Sequence, residues 1–281
     1  YLDTDFKIFH IADHPSSSFT PHYHDFHKIF LFLGGNAGYV VEGRQYDLKP
    51  GDVILVEAGE VHRPLLHDSS LYERTILYLS PRFFRQEENA GLFDCFPQGR
   101  AGRSSLVRLS RPEAFGFPQI FRDLAGAAQS EEFAASLYRK VKVTEFLILL
   151  NRALLAEPFG YTQAVTAHPA VLKAMEYINA NLTREELSVD SIAAGCFLTR
   201  SYLMHLFKAE TGYTIGTYIT EKRLFLARSC LSSGMTVTEA CYRCGFKNYS
   251  SFYYAYRQKY GCSPTAGQAR LPETNWGPGC E

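Results

Sequence analysis

The apolar positions of the first 80 residues come in short bursts, at 29–33, 39–41, 53–56 and 75–79. Turn-forming clusters, Gly34-Gly35-Asn36, Glu42-Gly43-Arg44 and Lys49-Pro50-Gly51-Asp52, separate them. Such bursts predict β-strands, and several at close spacing predict a sandwich or barrel. Between Pro81 and Pro118 the periodicity fades, and the stretch reads as irregular with one helix at 81–88. From 131 to 157 the spacing changes. Phe133, Leu137, Val141, Ile148 and Leu155 recur at steps of four and seven, while Phe146, Leu147, Leu150 and Leu154 widen the apolar face. This predicts a helix that is either one broad core face or apolar on two sides, with the β domain and a second protomer as partners. Pro158 ends it, and the uncharged stretch that follows reads as a linker.

Beyond His168 the pattern is helical throughout, and it repeats. Val189, Ile192 and Ala193 return 48 positions later as Val237, Ala240 and Cys241; Leu203, Phe207, Lys208 and Gly212 return 49 positions later as Phe252, Tyr256, Arg257 and Gly261. The one-residue difference falls in the turn between the two helices of each unit. Ser188 and Thr199 are N-cap residues in the first unit; in the second, Thr236-Val237-Thr238-Glu239 is a capping box and Gly245 stops the first helix. Short helix, tight turn and second helix is helix-turn-helix spacing, and the small residues Ala193, Ala194, Ala240 and Cys241 suit a close crossing. With Leu203, Leu206 and Phe207 inward, the second helix of unit one presents Arg200, Ser201, Met204, His205 and Lys208. With Phe252 and Tyr256 inward, unit two presents Ser250, Ser251, Tyr253, Tyr254 and Arg257. Such a mixture can donate to, accept from and make apolar contact with base edges.

Charge sharpens this reading. The 281 residues sum to zero, but 1–157 holds 17 Lys and Arg against 20 Asp and Glu, whereas 168–270 holds 12 against 7. The basic surplus lies in the repeat region, as a polyanion binder requires. The composition, 46% hydrophobic and 14% aromatic, is that of a globular chain and excludes a fibre or a chain disordered throughout. No apolar run reaches the roughly 20 residues of a membrane span. Seven scattered Cys form no disulfide framework and fit a reducing, cytoplasmic compartment. Cys241 and Cys244 make a CxxC, with Cys262 as a further thiol, but they fall at core positions of the repeat.

Residues 187–264, with the elements SYLxxLFK, KRLxxAR, GFKNYSSF and a closing YGCSP, resemble without a gap the DNA-binding domain of AraC/XylS-type bacterial transcription regulators. The resemblance implies two helix-turn-helix units joined by a linker helix at 215–231. Their recognition helices would enter successive major grooves about 34 Å apart on one DNA face. Carried over by position, Ser201, Met204, His205, Ser250, Tyr253 and Tyr254 would contact bases, and Arg200, Lys208, Lys247 and Arg257 phosphates. Met204, His205 and Tyr254 stand where relatives often place Gln or Arg, so the recognised sequence is not carried over. RNA polymerase as partner and activation as outcome are further implications of the family.

In the first half, Pro21-His22-Tyr23-His24-Asp25-Phe26 and the stretch 51–62 ending in His62 resemble the two motifs of the cupin barrel. Alternation puts His22, His24, Phe26 and Lys28 on one strand face. Lys28 stands where the cupin glutamate is usual, and an ammonium among three imidazoles opposes a divalent cation, so no metal or other cofactor is expected. His22, His24, Lys28, Arg44, His62 and Tyr78 are the candidate ligand-binding residues, able to hold a polyol or pair with a carboxylate. The whole chain therefore reads as a two-domain α+β protein. A cupin-like β barrel with a helical region (1–157) serves effector binding and dimerisation through the 131–157 helix, a linker (158–167) follows, then an all-α DNA-binding domain (168–270) and a disordered tail (271–281). The function expected is a cytoplasmic, effector-controlled transcription regulator, not an enzyme. The alternatives are a cupin-type metalloenzyme and an orphan regulator whose barrel only dimerises.

Overall fold

The computed structural model describes residues 2, 4–15, 19–96, 104–157, 161–162 and 168–269. The chain divides at 166/167 into two compact units. The expected tail and most of the expected linker lie outside the described residues; within the linker, Tyr161–Thr162 forms a short strand.

The first unit holds strands β1 (Phe6–Asp13), β2 (His27–Gly34), β3 (Ala37–Val41), β4 (Arg44–Asp47), β5 (Val53–Val56), β6 (His62–Leu66), β7 (Tyr72–Leu79), β8 (Leu106–Val107) and β9 (Tyr161–Thr162). They build a six-stranded sheet, β1-β7-β2-β5-β8-β9, facing a three-stranded one, β4-β3-β6. Among the described residues the two sheets do not join into a closed barrel, which corrects the sequence expectation. The end strands of the two sheets, β1 and β9 in one and β4 and β6 in the other, are not paired with each other. The expected bursts become β2, β3, β5 and β7, while β1, β4 and β6 are additional.

Strand β2 is buried on both faces, which is why its apolar run is unbroken. Ile29 and Leu31 join a core beneath the helices, and Phe30 and Phe32 join a second core between the sheets. The helices are α1 (Pro81–Arg85), followed by a 3-10 segment Glu87–Cys95, then α2 (Phe117–Gln129) and α3 (Ala135–Ala156). The stretch read as irregular thus ends in a helix. Phe117, Ile120, Phe121, Leu124 and Ala127 recur with a helical period and bury against the sheet, and Pro118 opens the helix rather than breaking one. The expected helix 131–157 is α3, shorter by four residues at its start. Its buried face is Val143, Phe146, Leu147, Leu150, Ala153 and Leu154.

The second unit is α4 (Pro169–Asn181), α5 (Val189–Cys196), α6 (Arg200–Thr211), α7 (Ile215–Ser232), α8 (Val237–Arg243), α9 (Tyr249–Tyr260) and α10 (Pro264–Ala269). Ser188 and Thr236 form reciprocal capping boxes, and Thr199, Thr214 and Asn248 cap α6, α7 and α9. Ala193, Ala240 and Cys241 are buried as the close crossing requires, but Ala194 faces solvent. The KRLxxAR element proves architectural. Buried Arg223 donates from Nε to the Leu182 carbonyl at 2.9 Å and from Nη2 to that of Arg184 at 2.7 Å, satisfying backbone acceptors beyond the end of α4. Arg228 lies over the Tyr260 ring.

Candidate nucleic-acid interface and effector wall

The caps and buried residues of α6 and α9 fix which side chains look outward. In α6, Leu203, Phe207 and Thr211 are buried and Leu206 is half-buried, which leaves Ser201, Met204, His205 and Lys208 along one exposed stripe. In α9, burial of Phe252 and Tyr256 leaves Ser250, Tyr253, Tyr254 and Arg257 on the corresponding stripe, with Lys247 exposed just before the helix. Tyr254 is 71% exposed. Tyr253 is only half-buried, held between Tyr249 (6.2 Å, stacked) and Tyr254 (5.9 Å, edge-on). Arg200 departs from the simple reading. Its Nη1 donates to the Asp190 carboxylate at 2.6 Å, so a phosphate must compete with an anion already in place. Tyr202 and Tyr249, also exposed on these helices, were not singled out by the sequence reading, which took only the stripe opposite the core.

The CxxC thiols are buried, and burial pushes Cys244 up to about 12, with Cys230 beside it. They are protonated core groups. Among the described residues they join no cluster of three potential metal ligands.

In the first unit His22, His24 and His62 converge. His22 and His62 exchange backbone hydrogen bonds of 3.1 and 2.8 Å as an isolated antiparallel bridge. The ring centres are 4.6 Å apart for His22 and His62, 4.9 Å for His24 and His62, and 5.0 Å for His22 and His24. His24 stacks on Phe26 at 4.4 Å, and His62 lies parallel to Tyr39 at 6.1 Å. Lys28, 1% exposed, holds Nζ 5.7 Å from the Tyr39 ring centre and 6.0 Å from that of Tyr78. Burial first, and the Lys28 charge second, hold the His24 and His62 imidazoles well below their ordinary range, so both rings are neutral. The strand registers place Arg44 and His62 on either side of Val41, in one row across β4, β3 and β6. Tyr78 pairs with Lys28 across β7 and β2. Lys28, Arg44, His62 and Tyr78 thus lie on the inner walls of the sheets, whereas His22 and His24 precede β2, which corrects the expectation of one continuous strand face from His22 to Lys28: only an isolated bridge from His22 to His62 holds that segment. Arg74, which the sequence reading did not select, is a further buried cation, paired with Asp13 at 2.7 Å and stacked on Tyr72.

The profile of the AraC-like ligand binding domain matches residues 8–147, and that of a helix-turn-helix domain matches residues 192–270. The chain belongs to the AraC type of transcription regulators. Relatives of this AraC-type regulator include the HTH-type transcriptional activator RhaS of Citrobacter koseri, 29% identical over 259 residues that cover 89% of this chain and 87% of the relative. RhaS of an Escherichia coli strain is 27% identical with the same coverage. Among solved structures, ToxT from Vibrio cholerae aligns over 96% of this chain and 98% of its own at 14% identity and a TM-score of 0.38. No helix among the described residues is long and apolar enough to cross a membrane.

Proposed function

We propose that this AraC-type regulator is a cytoplasmic transcription activator, without enzymatic activity, that reads DNA with α6 and α9 and answers to a small effector, a sugar or small carboxylate, held between the two sheets. The observation that carries the reading is the register of the two recognition stripes. Ser201, Met204, His205 and Lys208 have their counterparts in Ser250, Tyr253, Tyr254 and Arg257, and all eight lie opposite the core of their own unit. Two equivalent reading heads on one short domain suit successive turns of one duplex face. His22, His24, Lys28, Arg44, His62 and Tyr78 supply the sensor with acceptors and cations suited to hydroxyl and carboxylate groups. The outward face of α3 joins two protomers, which doubles the phosphate contacts, and RNA polymerase is the partner that turns binding into activation. The effector acts by binding one arrangement of the DNA-binding domains more tightly than the other.

Thermal unfolding of the full chain against a panel of sugars and small carboxylates tests the sensor. An effector at 100 times its dissociation constant stabilises the protein by about 2.7 kcal/mol, a shift of several degrees, and also changes DNA affinity. Silence across the panel with DNA binding intact would favour the orphan dimeriser or an effector outside the panel.

A further inference from the structure

The helices α6 and α9 are equivalent in position and unlike in chemistry. At the 49-residue offset of the repeat, Tyr249, Tyr253 and Tyr254 of α9 stand where α6 has Arg200, Met204 and His205. Tyr249 and Tyr253 stack at 6.2 Å, Tyr254 meets Tyr253 edge-on at 5.9 Å, and Tyr249 leans edge-on against buried Phe252 at 6.3 Å. The three phenols form one ledge anchored to the core, and their mutual contacts order the rings before anything binds, which lowers the entropic cost of contact. Asn248 caps α9 by accepting from the Ser251 N–H at 2.8 Å, so the ledge begins in the first turn, the part of a recognition helix that reaches base edges.

The surroundings of the ledge indicate what covers it. From Lys247 to Pro264 the chain has no Asp or Glu, and Lys247 and Arg257 are exposed on either side of the rings. A surface apolar in the middle and cationic at its margins complements a duplex groove, which has bases on its floor and phosphates along its rims. In the major groove the C5-methyl of thymine is the apolar group on offer, whereas guanine, cytosine and adenine are marked there by donors and acceptors. Three rings offer far more apolar surface than hydrogen-bonding capacity, since each phenol has a single hydroxyl.

We propose that α9 reads thymine methyl groups with the rings of Tyr249, Tyr253 and Tyr254, so that the element it covers is rich in thymine while α6 reads a polar, mixed one. The proposal rests on the reading of α6 and α9 as the DNA-contacting helices and names what the second of them recognises. It adds Tyr249 to the specificity residues, at the place where α6 has Arg200 paired with Asp190.

A duplex enriched from a random pool by the full chain, remade with deoxyuridine at one thymine at a time, tests this. The exchange removes a methyl and keeps every hydrogen-bonding group. Fluorescence anisotropy at fixed salt should show a loss of about fourfold in affinity for each methyl under the ledge, the worth of one buried CH2 group, with the sensitive positions gathered in one element. In Tyr254→Gln and in Tyr249→Ser at least one of those positions should become insensitive to the exchange. Tyr254 is 71% exposed and Tyr249 38%, so neither replacement opens the core, and thermal unfolding checks each variant. Deoxyuridine without effect at every position, sensitive positions spread over both elements, or losses as large in both variants as in the parent would overturn the proposal and leave the rings to a protein partner. Failure to enrich any duplex would instead remove the DNA reading itself, and this proposal with it.

Discussion

Phe197 and Gly245 occupy the same position of the two helix-turn-helix units, and both have positive φ, +60° and +85°. The turn imposes this conformation, since Leu198 N donates to the Ala193 carbonyl as Phe246 N does to that of Cys241. Only glycine adopts it without cost. Phe197 is 87% exposed, so its ring repays little by burial beyond a Lys173 ammonium 4.5 Å away. Phe197→Gly should therefore raise the stability of the DNA-binding unit by about 0.5–1 kcal/mol in thermal unfolding. Gly245→Ala should lower it by about 2 kcal/mol or more, because a Cβ there would meet the Leu182 carbonyl oxygen at 2.9 Å and the Arg223 guanidinium at 3.0 Å. His27 supplies a second residue-scale test. Burial among Phe84, Phe93 and Phe96 pushes its pKa from 6.5 down to about 4. As pH falls through that window the unfolded chain takes up a proton that the folded chain refuses, so stability is lost, by roughly 3 kcal/mol across the window; above it this group contributes nothing. His27→Asn keeps an acceptor for the Ala58 N–H, now 3.2 Å from Nδ1, and should flatten the slope by one proton's share in denaturant titrations at pH 4 to 7.

At the scale of elements, α3 shows two apolar faces, and among the described residues only one is covered. Phe133, just before the helix, and Leu137, Val141 and Leu155 are 51% to 101% exposed, and Ile148 is 36%. A paired Val141→Glu, Ile148→Glu variant should sediment as a monomer where the parent chain is a dimer, with its far-UV spectrum unchanged, because neither side chain supports the core. A monomeric parent would refute dimerisation through this helix. The apolar positions were legible in the periodicity, but steps of four and seven did not decide between one broad face and two, because that depends on what the sheet covers. Helix α2 was not, because Pro118 reads as a breaker until its place in the first turn is known. Strand β1 was missed because Lys7 and His10 interrupt its apolar residues and its side chains are mostly half-buried. The histidine cluster was legible from two imidazoles one residue apart and a third after a turn. Its orienting carbonyls were not, because hydrogen bonds of Nδ1 to Thr20 and Glu60 depend on local backbone geometry. Arg74 was hidden for another reason: its partner Asp13 is 61 positions away and meets it only through the β1–β7 register.

For the molecule as a whole, the proposed function turns on one domain carrying two independent reading heads. Mutation of Lys208 or Arg257, the proposed phosphate contacts, to Ala should weaken binding similarly for all sequences and reduce the salt slope by about one unit each. Loss of a base contact should instead change what is read. The most direct measurement selects duplexes from a random pool with the full chain and repeats the selection with His205→Ala and with Tyr254→Ala. Two reading heads predict enriched sites with two short elements about 10 base pairs apart, one relaxed only by the first substitution and the other only by the second. A single element altered by both substitutions, or no enrichment from the pool, would contradict it.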